Sequence, residues 1–175
     1  MKLPRLTGPR VALVPVPLSL ARGVLAGAPG PALAALGLQA GPGWPHADTA
    51  DALRPLAEHG AEGEDGGWLV VVDGAAVGDC GWRGGPGPDG EAVLGYGLAV
   101  PSRGQGLGTE AVAVLCAWAE RQPGVRHLEA DVQVGNEPSR RLLRRLGFTE
   151  SPVHDGWVRC VRGPDQPRIV GRHVC

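Results

Sequence analysis

The sequence is poor in lysine, in tyrosine and phenylalanine, and in closely spaced cysteines. Lys2 is the only lysine among 17 basic residues, and the net charge is −1 at pH 7. Binding to nucleic acids or anionic membranes through general electrostatics needs a basic surplus, which this chain lacks. No apolar run approaches the roughly 20 residues that a membrane span requires. We therefore expect neither a nucleic-acid partner nor a membrane partner.

The cysteines are too far apart to form a recognisable metal motif or redox motif. No C-x-x-C pair is present, and no histidine lies at ligand spacing, so we expect no metal site. Reduced thiols in a cytoplasm are the simplest interpretation. The four cysteines are Cys80, Cys116, Cys160 and Cys175.

The N-terminus imitates a secretory signal, with Lys2 and Arg5 before an apolar stretch. Pro15, Pro17 and Arg22 interrupt that stretch, which reads equally well as a strand. We expect a cytoplasmic protein, and secretion is the alternative. All basic residues but one are arginines, as a GC-rich coding sequence also produces. We expect a bacterial source.

The length of 175 residues fits one domain, which at this size buries roughly 70% of its unfolded surface. We expect a single domain over residues 1–163 and a short tail over residues 164–175. From Asp48 to Glu91 ten acids face two arginines. This acidic stretch suits a cationic partner, although an ordinary solvated face explains it too.

Hydrophobic periodicity predicts an antiparallel front followed by a β-α-β-α-β back. Asp73-Gly74 is a tight-turn signal between two apolar runs and predicts a hairpin. Such an order indicates a mixed α/β sheet. The predicted strands are 6–16, 68–72, 75–82, 91–100, 127–134 and 157–161, and the predicted helices are 18–25, 31–38, 49–59, 107–118 and 136–147.

One loop carries the strongest chemical signal. Arg103-Gly104-Gln105-Gly106-Leu107-Gly108 lies between a predicted strand and a predicted helix. Glycines let the backbone approach closely, and the free N–H groups of a helix's first turn attract an anion such as a phosphate. The spacing excludes the dinucleotide fingerprint G-x-G-x-x-G, and the P-loop Gly-Lys-Ser/Thr is missing.

The same loop matches Arg/Gln-x-x-Gly-x-Gly/Ala, and on it the chain resembles the GNAT superfamily of N-acetyltransferases. The resemblance continues through Thr109-Glu110-Ala111, Asn136-Glu137-Pro138-Ser139 and Leu146-Gly147-Phe148. It implies an α/β (α+β) fold with a mostly antiparallel twisted sheet of about six to seven strands, splayed in the middle, and helices on both faces. It also implies acetyl-CoA as cosubstrate and a primary amine as acceptor, with direct attack in a ternary complex.

The resemblance assigns the coenzyme residues. The pantetheine arm would enter the splay and pair with backbone groups of Leu98, Ala99 and Val100. The pyrophosphate would rest on the amides of the glycine loop, and Asn136 would hold the arm from the other side. Arg141 would meet a phosphate, with simple solvation as the alternative. The expected loop residues are Arg103, Gly104, Gln105, Gly106, Leu107, Gly108 and Thr109.

Many relatives place a tyrosine acid in the last helix, where this chain has Leu143. The chain resembles instead the RimJ/RimL branch, in which a serine at the position of Ser139 is the proposed acid. Ser139 is also consistent with a helix cap. A glutamate common in that branch is replaced here by Val93, so Glu91, two residues earlier, is the candidate base.

Other assignments stay open. A solvent-facing carboxylate is the alternative role for Glu91, and His154 and Asp155 are equally eligible as base. Trp44 would wall the acceptor pocket or simply pack, and Tyr96, the only tyrosine, is predicted to lie in the core. A non-catalytic acyl-CoA-binding module and another nucleotide-binding domain remain alternatives. The resemblance to this family favours a homodimer.

Overall fold

The computed structural model describes residues 3–60, 66–82 and 86–163. The predicted tail over residues 164–175 therefore lies outside the described residues, as do Glu62, Glu64 and Asp65 of the acidic stretch. The single-domain boundary stays a prediction.

Nine strands and five α-helices make up the described chain. Asn136 caps the last helix by accepting from the N–H of Ser139, and Gly106 begins the fourth helix. The strands are β1 Leu6–Thr7, β2 Ala12–Pro15, β3 Gln39–Ala40, β4 Gly66–Val72, β5 Ala75–Trp82, β6 Glu91–Leu98, β7 His127–Gln133, β8 Thr149–Glu150 and β9 Trp157–Arg162. The helices are α1 Leu18–Leu25, α2 Gly30–Ala35, α3 Thr49–His59, α4 Leu107–Ala119 and α5 Glu137–Arg145.

The sheet order is β1-β2-β4-β5-β6-β7-β9-β8, and β3 joins it beside β5. Among the described strands, only β6–β7 and β3–β5 are parallel pairs, so the predicted mixed, mostly antiparallel sheet is confirmed. The strand count exceeds the expected six to seven. The additional strands β1, β3 and β8 have two residues each, too few to produce an alternating pattern.

The prediction of one strand over residues 6–16 is wrong, because the segment folds back on itself. The N–H of Gly8 donates to the carbonyl of Val11 at 2.8 Å, and β1 pairs antiparallel with β2. A turn at Gly8-Pro9 fits the fixed backbone of proline. β6 likewise ends at Leu98 instead of Val100, where a 3-10 turn begins.

Two apolar clusters cover the two faces of the sheet. The cluster under α4 and α5 contains Trp68, Trp82 and Trp118, whose indoles meet edge to face at centroid distances of 4.8 and 5.0 Å. The second cluster lies under α1 and α3 and contains Trp44. Helices on both faces were expected, and both clusters confirm them.

Candidate active site

The sheet divides between β6 and β7. These parallel strands pair only at Glu91–His127, Ala92–Leu128 and Val93–Glu129. Beyond Val93, β6 continues beside β5 as far as Leu98, while β7 continues beside β9. The splay expected from the resemblance is therefore present, and it opens toward the glycine loop after β6.

The glycine loop depends on two left-handed residues. Gly104 has φ +75° and Gly106 has φ +79°, a backbone region that side chains with a β-carbon rarely adopt. These two turns bring the chain from the 3-10 turn at Val100–Ser102 into α4. The spacing of glycines seen in the sequence is thus a conformational requirement at these two positions.

The loop presents a cluster of donors. Among the described residues, the N–H groups from Gln105 to Thr109 donate to no protein acceptor, and the first helical bond runs from Glu110 to Gly106. Such amides at a helix start, with the helix dipole behind them, are suited to an anion. The residues present therefore fit the pyrophosphate of a coenzyme.

The loop is held by a clamp between Arg10 and Glu110, which the sequence did not indicate. The Glu110 carboxylate accepts from the backbone N–H of Val11 at 3.0 Å and pairs with the Arg10 guanidinium at 3.0 Å. Arg10 also donates to the Gln105 carbonyl at 3.0 Å. Desolvation acts to raise the pKa of Glu110, but the hydrogen bonds from Arg10 and Val11 outweigh it and lower that pKa. Nothing local in the sequence joins residues so far apart.

Close packing explains the third glycine of the motif. A β-carbon on Gly108 would lie 3.4 Å from side-chain atoms of both Leu98 and Leu142. α4 can therefore approach both β6 and α5 at its first turn. The loop, the strand edge and the last helix are held around one opening.

The predicted strand-edge residues are partly engaged within the chain. The Arg103 side chain donates to the Leu98 carbonyl at 2.9 Å. The Ala99 N–H donates to Val77, and the Ala99 carbonyl accepts from Ser102, both at 2.9 Å. Their pairing with a pantetheine arm stays a prediction.

Asn136, Ser139 and Arg141 lie at the start of α5, across the opening from β6. The Asn136 side chain accepts from the Ser139 N–H at 3.3 Å, and Arg141 is exposed with Glu137 as its ion-pair partner at 4.0 Å. Leu143 is fully buried. The last helix therefore offers no tyrosine hydroxyl at that position, and the serine hydroxyl is what it presents.

Tyr96 is not only a core residue. It is half-buried against the apolar cluster under α4, and its hydroxyl lies 2.6 Å from Oγ of Ser139. Burial is the main cause that raises the pKa of Tyr96 to about 12, and the hydrogen bond to Ser139 acts in the opposite direction. The only signal in the sequence was its placement between Gly95 and Gly97.

Glu91 lies at the paired end of β6, beside the loop that precedes this strand. Its carboxylate accepts from the Asp89 N–H at 3.1 Å, and a β-carbon on Gly87 would collide with it. The carboxylate thus stabilises the turn over residues 87–91. Its role as a base stays a prediction.

The opposite face of β6 carries a buried polar cluster that sequence reasoning missed. Asp79 is the register partner of Gly97, and its carboxylate accepts from the Thr49 hydroxyl at 2.7 Å. His46 Nε2 lies 3.0 Å from the same carboxylate, with side-chain exposures of 6% and 7%. The bond to Asp79 is the main cause that raises the pKa of His46, against desolvation, which lowers it.

Glycine in β6 makes room for this cluster. A β-carbon at Gly97 would lie 2.5 Å from Cε1 of His46, whereas one at Gly95 would meet nothing within 4 Å. Trp44 lies two residues before His46 in the sequence, and it is only 5% exposed. Its position in the second apolar cluster establishes packing, and its contact with an acceptor stays a prediction.

His154 and Asp155 are almost fully exposed at the turn before β9. An open groove of about 690 Å³ runs beside them, and it also includes Asp131, Trp157 and Arg159. Arg159 pairs with Asp131 at 3.0 Å. No group of three or more His, Cys, Asp or Glu side chains in the described ranges is arranged to hold a metal ion.

With this geometry in place, comparison with known proteins decides the family. The family model described as "Acetyltransferase (GNAT) domain" matches residues 15–149. The chain belongs to the GNAT acetyltransferase family. That match includes the glycine loop, the splay and the start of α5, and it confirms the expectation drawn from the loop.

Two curated relatives agree with the GNAT assignment. The chain is 28% identical to the uncharacterized N-acetyltransferase YjdG of Bacillus subtilis over 137 residues, which is 73% of this chain and 81% of that protein. It is 43% identical to alpha/beta-tubulin-N-acetyltransferase 9 of Homo sapiens over 54 residues. That second match spans 30% of this chain and only 26% of the human protein.

Among solved structures, this GNAT domain is similar to RimL, a ribosomal L7/L12 alpha-N-protein acetyltransferase in complex with coenzyme A. The TM-score is 0.63 at 17% identity, and the match covers 91% of this chain and 98% of that one. At this identity the likeness establishes the fold. The comparisons give no support to either alternative function.

Proposed function

We propose that this GNAT domain transfers the acetyl group of acetyl-CoA to a primary amine, by direct attack in a ternary complex. The observation that carries the proposal is the coincidence of two features at one opening. The N–H groups from Gln105 to Thr109 have no protein acceptor among the described residues, and β6 separates from β7 just beyond Val93. Acetyl-CoA supplies the activated acyl group.

The residues around the opening divide the binding work. The amides from Gln105 to Thr109 bind the pyrophosphate, and the edge formed by Leu98, Ala99 and Val100 lies along the arm. Asn136 faces this edge from α5. Because its side-chain oxygen already accepts from Ser139, the side-chain NH₂ is the group that Asn136 offers. The exposed guanidinium of Arg141 meets a phosphate.

Transfer needs a neutral amine, a proton acceptor and stabilisation of the leaving thiolate. Ser139 serves the leaving group, and Glu91 accepts the amine proton directly or through water. The Glu91→Gln variant tests the second role. If Glu91 is the base, Glu91→Gln should lower kcat roughly 100-fold. If the variant keeps the wild-type kcat and only unfolds at a lower denaturant concentration, Glu91 is not the base.

The acceptor approaches from the face of the sheet opposite α4 and α5. Register places three carboxylates of β6 and β7 on that face, Glu91, Glu129 and Asp131, together with the His127 ring, which pairs with Glu129, and the guanidinium of Arg159 from β9. An acidic face favours an amine that carries positive charge before it is deprotonated. Trp44, which belongs to the apolar cluster under α1 and α3, forms a wall of the acceptor pocket.

We also infer that the protein is bacterial and cytoplasmic and that it acts as a homodimer. Three cysteines in the described ranges are free and buried, Cys80, Cys116 and Cys160, as expected where thiols stay reduced. The relative YjdG is bacterial. None of the described helices is long and apolar enough to cross a membrane. Sedimentation at micromolar concentration tests the dimer.

Thermal unfolding with acetyl-CoA, CoA and ATP tests the coenzyme assignment. A ligand at 100 times its Kd adds about 2.7 kcal/mol of stability. We expect acetyl-CoA and CoA to stabilise the protein and ATP to have a much smaller effect. Stabilisation by ATP without stabilisation by acetyl-CoA would refute the proposal.

Thiol release with a panel of amines tests the transfer itself. The panel contains polyamines, amino acids, aminoglycosides and peptides with free N-termini. Acetylation of cationic members before neutral ones supports the acceptor assignment. Coenzyme binding without turnover on any amine would instead identify a non-catalytic acyl-CoA-binding module.

A further inference from the structure

The hydrogen bond between Tyr96 and Ser139 joins the two sides of the opening on the α4 and α5 face. Tyr96 belongs to β6, and Ser139 belongs to the first turn of α5. Their oxygens are 2.6 Å apart across 43 residues of sequence. The predicted acid is therefore not an isolated hydroxyl but one member of a pair.

The chemistry of the two hydroxyls decides which one donates. A phenol is a stronger hydrogen-bond donor than an aliphatic alcohol because its O–H is more acidic. Burial raises the pKa of Tyr96 to about 12, so the phenol keeps its proton at every pH at which the enzyme would be assayed. Because the phenol is the stronger donor of the two and stays protonated, we assign Tyr96 as the donor and the Ser139 oxygen as the acceptor.

This assignment fixes where the serine hydrogen can point. A serine hydroxyl has one hydrogen and two lone pairs. On this assignment the Ser139 oxygen, 2.6 Å from the Tyr96 hydroxyl, accepts from it, and the Ser139 N–H is committed to Asn136. With one lone pair engaged by the phenol, the hydroxyl hydrogen turns away from Tyr96.

We propose that Tyr96 is a positioning residue that directs the Ser139 hydroxyl hydrogen toward the sulfur of the leaving thiolate. The inference rests on the proposed acetyl transfer. In that step the amine nitrogen forms the C–N bond, the C–S bond breaks, and its electron pair leaves with sulfur. Ser139 stabilises that sulfur by a hydrogen bond. The amine proton goes to Glu91, directly or through water, and from there to solvent, and the thiolate takes one proton from solvent.

Kinetics of three variants test the coupling. Tyr96→Phe keeps the ring and removes the hydroxyl; we expect kcat to fall roughly tenfold, as loss of one hydrogen bond implies. Ser139→Ala is expected to cost roughly 100-fold. The double variant should equal Ser139→Ala, because Tyr96 acts only through Ser139. The KM for acetyl-CoA should stay unchanged in all three.

The matched control is Thr149→Val, which removes a partly buried hydroxyl that donates to the Val161 carbonyl in the strand pair β8–β9. Its kcat should equal that of the wild type. Wild-type kcat in Tyr96→Phe, multiplicative losses in the double variant, or a loss confined to KM would each overturn the proposal.

A spectroscopic readout separates this inference from the proposed function. Because Tyr96 is the only tyrosine, ¹³Cζ labelling of tyrosine gives one NMR signal that needs no turnover. Ser139→Ala should shift this signal at neutral pH, and Thr149→Val should not. An unshifted signal overturns the pairing even if the wild type acetylates amines. A shifted signal from a protein that acetylates nothing would refute the proposed function and leave the pairing in place.

Discussion

The two faces of β6 differ in how they are assembled around the opening. On one face, Tyr96 and Leu98 point toward α4 and α5, and the glycine loop that follows them is a continuous stretch. On the other face, Gly95 and Gly97 leave the backbone bare, and His46 and Asp79 come from distant segments to cover it. The glycine loop on the proposed coenzyme side is one local stretch of sequence, whereas the residues that cover the proposed acceptor side come from separate segments.

One side of β6 therefore has a sequence signature, and the other does not. Binding a phosphate with backbone amides requires particular φ angles at consecutive residues, which only glycine at Gly104 and Gly106 supplies easily. Covering the glycine positions of a strand requires only a side chain of suitable size from another segment of the chain. Many sequences satisfy the second requirement, so no short pattern marks it.

The largest expected effect tests the coenzyme side. Gly106→Val places a β-branched residue at φ +79°, with Arg10 Nη2 only 3.2 Å from the new β-carbon. The strain costs about 1–3 kcal/mol, and displaced amides should weaken coenzyme A binding at least tenfold, or about 1.4 kcal/mol. Titration calorimetry measures the Kd.

The control for that variant is Gly27→Val at the end of α1. Gly27 has φ +70° with nothing within 4 Å of its β-carbon, so it carries a similar strain far from the loop. Equal coenzyme affinity in the two variants would show that strain alone explains the loss.

The second prediction tests the acceptor side. In Gly97→Ala the new β-carbon would lie 2.5 Å from His46, and overpacking of this kind costs about 1–3 kcal/mol. Gly95→Ala on the same strand and face meets nothing within 4 Å and should change the free energy of unfolding by less than about 0.5 kcal/mol. Urea unfolding compares the two. If the two variants lose the same free energy of unfolding, the His46 side chain moves aside without cost and the expected collision is absent.

A smaller effect is expected from the clamp on the glycine loop. Glu110→Gln weakens the bonds to Arg10 and Val11, and we expect a loss of about 1–2 kcal/mol in unfolding free energy. Coenzyme affinity should fall with it. Glu58→Gln is the control, because the exposed pair with Arg54 contributes at most about 0.5 kcal/mol. Equal losses in the two variants contradict the clamp.

The smallest effect is a pH dependence of stability. His46 faces Asp79, Asp48 and Arg103, and the bond to Asp79 is the main cause that raises its pKa above 6.5. A folded-state pKa above the unfolded one means that the pair's stabilisation is fully present below pH 6.5 and is lost as pH rises through the folded-state pKa. Urea unfolding between about pH 5.5 and 9 should show this decline.

His46→Gln should flatten that part of the curve. Asp79→Asn should flatten it too, because the amide no longer stabilises the imidazolium. A decline that persists unchanged in both variants would assign it to other groups.

The sequence predicted most of the helices and strands that have a periodic hydrophobic pattern. The helical spacing of Leu107, Ala111, Val114, Leu115 and Trp118 predicted the inner face of α4, where all but the half-buried Val114 are buried. The alternation along β7 predicted its two faces. The turn at Asp73-Gly74 joins β4 to β5 as expected, with both residues at positive φ. These features arise from neighbours in sequence, which a pattern records directly.

What escaped prediction depends on tertiary contacts. The fold-back at Gly8 looked like continuous strand because its apolar residues run on either side of the turn. Tyr96 looked like core, since nothing in its neighbourhood indicates that α5 brings Ser139 to its hydroxyl. His46 and Asp79 are 33 residues apart, and they meet because the register of β5 with β6 places Asp79 beside Gly97, over which His46 lies.

Trp118 of α4 and the two tryptophans beneath it, Trp68 and Trp82, give the protein a built-in optical reporter. Trp118 lies near the C-terminal end of this 13-residue helix, which is about 20 Å long, and the donor cluster lies at the other end. If α4 shifts as a rigid rod when the loop is filled, the edge-to-face contacts of Trp118 with Trp68 and Trp82 must change. Emission from the indoles would then register an event at a loop that contains no fluorophore of its own.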